Sequence, residues 1–165
     1  MRSIVLAMFV AVIWIALSTP QQAQAAPSQS CGVNLAASEI RAAINSVPTV
    51  PEGWPWSHEP RSFEGNYNPC ATLSVALISV QSGTGSSPWQ ALTFHNGNYV
   101  GTATSRAYSF VSLNSARTTD DTVALNYTQP VGCDACGGPI TTVRYQWQGD
   151  HVVMLDGPPP QSNAD

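Results

Sequence analysis

Four cysteines are the residues of this 165-residue chain whose type and spacing point most directly to chemistry. Cys133 and Cys136 form a C-x-x-C pair, which is the spacing of a thioredoxin-type redox pair, of half a Cys₄ zinc site, or of a short disulfide. A redox pair places its first cysteine at a helix N-terminus, whereas the Gly137-Gly138-Pro139 that follows here predicts a turn. We therefore predict a structural disulfide, with redox activity and metal binding as the alternatives.

Cys31 and Cys70 complete the set, and four cysteines allow three disulfide connectivities. We prefer Cys31–Cys70 together with Cys133–Cys136, because the first bond would tie the start of a predicted helix to the start of a predicted strand. Closing that loop of about 40 residues contributes on the order of 3–4 kcal/mol in the chain-entropy model. The second bond closes a very short loop and would constrain the turn more than the fold.

Asp120 and Asp121 are the polar pair best placed to bind a cation such as Ca²⁺. Adjacent residues of a strand point to opposite faces, so the two carboxylates are poorly placed for paired acid–base catalysis. We predict a turn in which the aspartates accept hydrogen bonds from nearby backbone N–H groups, with a metal site as the weaker alternative. No cofactor is expected.

An aromatic segment supplies the candidate binding residues. Rigid aromatic side chains in a loop are typical of surfaces that bind sugars, peptides or lipids. The other interpretation, which we favour, is that the tryptophans fold back over a sheet and cover the core. The candidates are Trp54, Trp56 and Tyr67, together with Trp89 further along the chain.

The three histidines, His58, His95 and His151, are spread singly and lack metal-ligand spacing. His95 and His151 flank predicted turns, which favours solvent-facing positions over a catalytic base. The chain also has no G-x-S-x-G nucleophile motif. A hydrolase would need the fold to bring a histidine and Asp120 or Asp121 together.

The first 25 residues have the three parts of a secretory signal. Arg2 begins the segment, Ile4–Leu17 is an uncharged apolar run of 14 residues, and Ala23-Gln24-Ala25 predicts cleavage after Ala25. The apolar run is shorter than the roughly 20 residues that a membrane span needs. We therefore expect residues 1–25 to be removed on export, with no transmembrane segment in the mature chain.

The surroundings of Cys31 argue against a lipid anchor at that residue. A lipoprotein signal ends with small residues directly before the modified cysteine. Here Ser28-Gln29-Ser30 precedes Cys31, which lies 14 residues beyond Leu17. Gln29 and the long spacer favour a disulfide partner over a lipid carrier.

The composition excludes several classes of function. The chain contains no lysine, so Schiff-base chemistry is excluded. Removal of residues 1–25 leaves five arginines against ten acidic residues, a net charge of about −5. This acidic balance argues against nucleic acid or an anionic membrane as the partner.

Hydrophobic periodicity predicts one helix followed by strands. The helix is expected over Ala36–Val47, with Ser38 as its N-cap. Leu73–Val80 is a nearly continuous apolar run, as in a strand buried on both faces. Two hairpin turns are predicted, one at Asn96-Gly97 pairing Phe94 with Tyr99 and Leu92 with Gly101, and one at Gly149-Asp150 pairing Trp147 with Val152 and Tyr145 with Met154.

Together these elements predict an α+β fold in which one N-terminal helix packs on an antiparallel meander of about six strands. We expect a single domain over 26–156, whereas 157–165 should form a disordered tail. Residues 104–121 have no clear assignment. Val123, Leu125 and Tyr127 recur at every second position, which predicts the strand that precedes Ile140–Trp147.

Several short motifs resemble the LppP/LprE lipoproteins of actinobacteria. The resemblance covers roughly residues 31–158 and implies an exported cell-envelope protein without an established enzymatic activity. The chain departs from that family because it lacks the lipid-attachment motif. The motifs are Asn66-Tyr67-Asn68-Pro69-Cys70-Ala71-Thr72-Leu73-Ser74, Gln90-Ala91-Leu92 with Phe94-His95, Gly101-Thr102-Ala103-Thr104-Ser105, Thr119-Asp120-Asp121-Thr122-Val123, Cys133-Asp134-Ala135-Cys136, and Thr142-Val143-Arg144-Tyr145 with Trp147.

These observations predict a non-enzymatic, extracytoplasmic binding or accessory module that is secreted or associated with the cell envelope. Its partner would be an envelope lipid, glycan or protein, bound by the aromatic loop or by an open sheet face. Two other classes remain as alternatives. One is a secreted hydrolase that uses histidine and aspartate, and the other is a purely structural envelope protein.

Overall fold

The computed structural model describes residues 30–51 and 53–160, so the predicted signal segment 1–25 lies outside the described residues. In the described ranges the chain forms one α-helix and two antiparallel four-stranded sheets. The prediction of one six-stranded meander is therefore corrected to two stacked meanders. In chain order the elements are α1 (Ser38–Ile44), β1 (Glu64–Gly65), β2 (Ser74–Ser79), β3 (Trp89–His95), β4 (Asn98–Thr102), β5 (Val111–Leu113), β6 (Thr122–Thr128), β7 (Ile140–Gln148) and β8 (His151–Met154).

The helix α1 is shorter than its hydrophobic pattern predicts. Ile40, Ala43 and Ile44 are buried as expected from their spacing. Ser38 is the first helical residue, and the N-cap is Ala37, whose side chain makes no capping bond. Ser38 is therefore not the cap, and the helix depends on packing against the sheet for its stability.

The fold has three layers, because the first sheet, β1–β4, is covered on both faces. One core cluster lies between α1 and this sheet, where Ala76, Ile78, Leu92 and Phe94 face the helix. The other lies between the two sheets. All six residues of β2 are buried, which confirms the doubly buried strand predicted from its continuous apolar run.

The hairpin between β3 and β4 is confirmed at its turn and corrected in its register. Asn96 and Gly97 both have positive φ, as a type I′ turn requires. Phe94 pairs with Tyr99, but Leu92 pairs with Thr102 because a bulge lies between Thr93 and Phe94. A bulge inserts an extra residue into one strand and so shifts every pair beyond it.

The second sheet, β5–β8, follows the predicted register closely. β6 pairs with β7, and Trp147 pairs with Val152 across the Gly149-Asp150 turn. Val143 and Tyr145 are buried between the sheets. Residues 104–121, for which the sequence predicted no secondary structure, contain β5 and a 3₁₀ helix, Ser115–Arg117.

Two disulfides staple the ends of this architecture. Cys31 is bonded to Cys70 and Cys133 to Cys136, which is the connectivity preferred from the sequence. The Asn68 carboxamide oxygen reinforces the first bond by accepting hydrogen bonds from the backbone N–H groups of Gly32 and Cys70.

The described part of the C-terminal segment, residues 157–160, packs against the domain. Pro159 is buried and Pro160 is half-buried, whereas Gly157 and Pro158 are exposed, and the predicted disorder of the tail stays a prediction. Residues 161–165 lie outside the described residues. No helix within the described ranges has the length and apolar character needed to cross a membrane.

Candidate ligand-binding site

The structure places two of the predicted aromatic ligand contacts in the core. Trp56 is 6% exposed and donates its indole N–H to the Pro48 carbonyl, 2.8 Å away, while Tyr67 is completely buried. Tyr67 contacts Phe94 edge-to-face, with 4.7 Å between ring centroids. Trp56 and Tyr67 are therefore not accessible as ligand contacts, the candidate role given to them above: these rings cover the first sheet, in agreement with the interpretation favoured from the sequence, because that sheet needs an apolar cover beyond the short helix.

Trp54 and Trp89 remain candidates. Trp54 is 51% exposed. Trp89 is half-buried and lines an open groove of about 760 Å³ whose other walls carry charged side chains of both signs, among them Glu59 and Arg61. The binding roles of Trp54 and Trp89 stay predictions.

The aspartate pair closes one end of the stack of sheets. Asp120 accepts hydrogen bonds from the hydroxyl and backbone N–H of Thr72, at 2.6 and 3.4 Å. Asp121 accepts from the hydroxyls of Thr119 and Thr122, and these bonds hold the pKa of its carboxyl below the usual range. The main donors are threonine hydroxyls rather than the nearby backbone N–H groups predicted from the sequence. Among the described residues, no group of three or more His, Cys, Asp or Glu side chains could hold a metal ion.

His95 belongs to the same end and is not the solvent-facing residue predicted from its place beside a turn. Its ring stacks on Trp147 of the second sheet at 3.9 Å. Its Nδ1 lies 2.6 Å from the Thr72 carbonyl, and its Nε2 lies 3.0 Å from the Asn96 amide nitrogen. A carbonyl can only accept and an amide nitrogen can only donate, so both ring nitrogens are engaged in the neutral Nδ1–H tautomer.

The other two histidines lie apart from His95. His151 is exposed at the β7–β8 turn, where its Nδ1 lies 2.7 Å from Asp150. His58 is exposed and lines the open groove that Trp89 also lines. The structure therefore does not bring the described histidines together with each other.

The opposite end of the two sheets holds a cavity of about 360 Å³, which we call the end cavity. Its walls combine aromatic rings, hydroxyl groups, prolines and one carboxylate. Its lining residues include Tyr108, Phe110, Tyr127, Ser86, Ser109, Asp134 and Pro160.

The end cavity exists because the chain crosses from one sheet to the other at residues 108–110. Tyr108 exchanges two backbone hydrogen bonds with Trp89 of the first sheet. Two residues later, the Phe110 carbonyl accepts from the Thr128 N–H of the second sheet. The Ser109 hydroxyl donates to the Ser86 carbonyl, 2.7 Å away, and fixes the crossing between these anchors.

Phe110 makes this crossing in a strained backbone conformation. Its φ is +55°, in the left-handed region that bulky side chains rarely adopt. Such strain costs of order 1–3 kcal/mol and is concentrated at functional sites. The surrounding hydrogen bonds hold Phe110 in this conformation beside the cavity.

The inner wall of the end cavity is rigid. Tyr127 is 3% exposed, and its hydroxyl lies 2.8 Å from that of Tyr145. Burial raises the pKa of both phenols, that of Tyr145 to about 12. Both tyrosines are therefore neutral at physiological pH, and Tyr127 also contacts Tyr108 edge-to-face at 5.3 Å.

The C-x-x-C loop forms the outer rim of the end cavity. The Cys136 N–H donates to the Cys133 carbonyl, which closes a turn and leaves no helix N-terminus to activate a thiol. Asp134, between the two cysteines, lines the cavity. Gly138 is needed because a Cβ there would collide with the Gln129 carbonyl.

Sequence reasoning missed the end cavity. Tyr108 and Phe110 lie in residues 104–121, for which no secondary structure was predicted. Asp134 was considered only as one of the two residues between Cys133 and Cys136. The only local signal was the clustering of Tyr108 and Phe110 next to a strand pattern. Their convergence with Tyr127 depends on the stacking of two sheets, which a period-2 pattern does not reveal.

Fold and site together define a disulfide-stapled α+β domain with a preformed aromatic cavity. The sequence model of the LppP/LprE lipoprotein family matches residues 65–150. A Mycobacterium leprae protein named "Putative lipoprotein LprE" is 34% identical over 141 residues, which cover 85% of this chain and 66% of that protein. Proteins of the same name from Mycobacterium bovis and Mycobacterium tuberculosis are 33% identical over 126 residues, which cover 76% of this chain and 58% of theirs.

The chain belongs to the LppP/LprE lipoprotein family. It spans slightly less than two thirds of the length of the Mycobacterium leprae relative and less of the other two. No solved structure matches the chain. The disulfide with Cys70 occupies the sulfur of Cys31, so that sulfur cannot carry a lipid at the same time.

Proposed function

We propose that this protein is a non-enzymatic binding module of the cell envelope and that the end cavity is its ligand site. Membership in a lipoprotein family supports an envelope location. The predicted export signal and the two disulfides fit an oxidising, extracytoplasmic compartment.

The single observation that carries the binding site is the preformed end cavity. Its volume of about 360 Å³ lies at the lower end of the small-molecule range, roughly 300–1,000 Å³. Aromatic rings provide apolar contact area, whereas the Asp134 carboxylate and the hydroxyls of Ser109 and Thr128 provide polar contacts at the rim. A small number of polar groups around apolar walls is the usual composition of a ligand pocket.

The position of the end cavity also supports the proposal. At the far end of the sheets the aspartates, Thr72, His95 and Trp147 tie the two layers together. At the cavity end the sheets are joined by the strained crossing at Phe110, which leaves space between them. A rigid scaffold that holds its aromatic residues in place lowers the entropy lost on binding.

The hydrolase alternative stays a prediction. His95 has both ring nitrogens engaged, so neither is available to take a proton from a nucleophile without breaking a bond. The His151–Asp150 pair could act only at an exposed turn, where solvent weakens its interaction. Hydrolysis of a nitrophenyl ester by the wild-type chain, lost in His151→Ala, would favour this alternative.

The binding site can be tested by filling it. Indole is a suitable probe because it is a flat aromatic ring with one polar N–H. Ser86→Trp places a large side chain in the cavity wall, and we expect it to weaken indole binding at least about tenfold, since the probe and the new ring compete for one space.

Ser115→Trp is the matched control, because Ser115 is exposed and lies outside the cavity lining. Isothermal titration calorimetry on the full chain measures both variants, and urea unfolding checks that both are folded. Equal affinity for indole in the two variants would contradict the proposed site.

A further inference from the structure

The C-terminal segment of the chain reaches the end cavity. β8 ends at Met154, and the Leu155 N–H then donates to the Arg144 carbonyl, 2.9 Å away. Arg144 anchors the next residue, Asp156, through its guanidinium group and its backbone N–H, at 2.9 to 3.0 Å. The pKa of the Asp156 carboxyl falls to about 2 because of these hydrogen bonds.

Residues 157–160 do not form a strand. Three consecutive prolines, residues 158–160, follow Gly157 and lack the N–H donors that a strand would need. Pro158 is exposed, Pro159 is buried, and Pro160 lines the end cavity together with Tyr108 and Phe110.

Consecutive prolines fix φ near −65° and favour the polyproline II helix, which has three residues per turn and no internal hydrogen bonds. Such a segment loses little conformational entropy on binding, and its carbonyls remain free to accept. The partners that recognise it are grooves lined by aromatic rings. The walls of the end cavity include three aromatic rings, and Pro160 of the chain itself is one of the lining residues.

We propose that the end cavity is a docking site for proline-rich polypeptide segments, and that the C-terminal segment of the same chain, in which Pro159 is buried, places Pro160 at its edge as a partial occupant. This inference rests on the proposed binding function and specifies its partner class. Tyr108, Phe110 and Tyr127 line the cavity and are the rings that the proposal assigns to contact the prolines of a bound segment. The cis segment acts as a weak competitor, because a short tether gives it an effective concentration in the millimolar range.

The experiment compares full-length chains with a synthetic oligoproline peptide as the probe. The double variant Pro159→Ser/Pro160→Ser weakens the competitor while retaining the tether. We expect the peptide to bind this variant at least about fivefold more tightly than the wild-type chain. Pro158→Ser is the matched control, because Pro158 is exposed, and it should leave the affinity unchanged.

A peptide of equal length with alanine at every proline should bind none of the chains. Adding Tyr108→Ala to the double variant should reverse the gain in affinity, while urea unfolding shows that the variants are folded. Equal affinity of the oligoproline peptide for the wild-type chain and the double variant, or no binding to either, would overturn the inference.

Indole binding distinguishes failure of the proline-rich partner from failure of the proposed ligand site. If indole binds the double variant in the end cavity but the oligoproline peptide does not, the proline-rich partner is wrong and the ligand site stands. If neither probe binds, both proposals are overturned. If the peptide binds and Tyr108→Ala has no effect, the peptide occupies another surface and the inference also fails.

Discussion

At the scale of single residues, Phe110 carries the strain on which the cavity wall depends. Nothing in its residue type signals a positive φ, since Gly, Asn and Asp are the residues that usually adopt it. The conformation follows from two constraints that are distant in sequence, the pairing of Tyr108 with Trp89 and the bond from Thr128 to Phe110. For this reason it could not be predicted from local sequence.

Replacing Phe110 by glycine and by alanine isolates the backbone strain. Both variants lose the ring equally, but only alanine retains a Cβ that opposes the left-handed conformation. We expect Phe110→Gly to be more stable than Phe110→Ala by about 1 kcal/mol in urea unfolding. A more stable alanine variant would show that φ at this position is not fixed by the fold.

The histidine and aromatic residues show a second limit of sequence reasoning. His95 was expected to face solvent because it flanks a turn, yet it stacks on Trp147 from the other sheet. Trp56 and Tyr67 were candidates for ligand contact, and the sequence left open whether they would bind or cover a sheet; they cover the first sheet. His95 and Tyr67 contact rings that are distant in the chain, Trp147 and Phe94, so these contacts depend on the tertiary fold.

At the scale of elements, local patterns predicted strands and turns well. β2, the two hairpin turns and the pairing of β6 with β7 follow from alternation and turn residues. The division into two sheets does not, because the strands of both sheets have similar patterns. The bulge at Thr93 also shifts one register without a local signal.

The two disulfides should differ in their contribution to the stability of these elements. Cys31 and Cys70 are separated by 39 positions, whereas Cys133 and Cys136 are separated by 3. The chain-entropy model then assigns about 4 kcal/mol to the first bond and about 2 kcal/mol to the second. We expect Cys31→Ala/Cys70→Ala to lower the free energy of unfolding more than Cys133→Ala/Cys136→Ala.

Urea unfolding of both double variants under the same conditions checks this order. The second variant also tests the site, since its loop carries Asp134 to the cavity rim. A Cys133→Ala/Cys136→Ala variant that is the less stable of the two would contradict the assignment of the first bond as the main staple.

At the scale of the whole molecule, the buried tyrosines predict how stability depends on pH. Burial raises the pKa of Tyr67 and Tyr145 to about 12 and raises that of Tyr127 as well. In the unfolded chain a tyrosine ionises near pH 10, so above that pH the folded state binds more protons than the unfolded state. Stability is fully present below about pH 10 and is lost as the pH rises towards 12.

We expect the free energy of unfolding to fall by about 1 kcal/mol per pH unit for each such tyrosine in that interval. The double variant Tyr127→Phe/Tyr145→Phe removes both partners of one hydrogen bond while retaining the rings, so it should remain folded at neutral pH. Its stability should fall less steeply at alkaline pH, as measured by urea unfolding across the interval. An equal slope in the variant and the wild type would show that these phenols do not govern alkaline unfolding.

The central claim is that the end cavity binds the ligand, and amide chemical shifts of the labelled full-length chain test it most directly. During titration with indole, we expect shifts concentrated at residues 108–110, 127–129 and 134, and absent in the Ser86→Trp variant. Shifts that instead surround Trp54 or the groove beside Trp89, with residues 108–110 unchanged, would contradict the account.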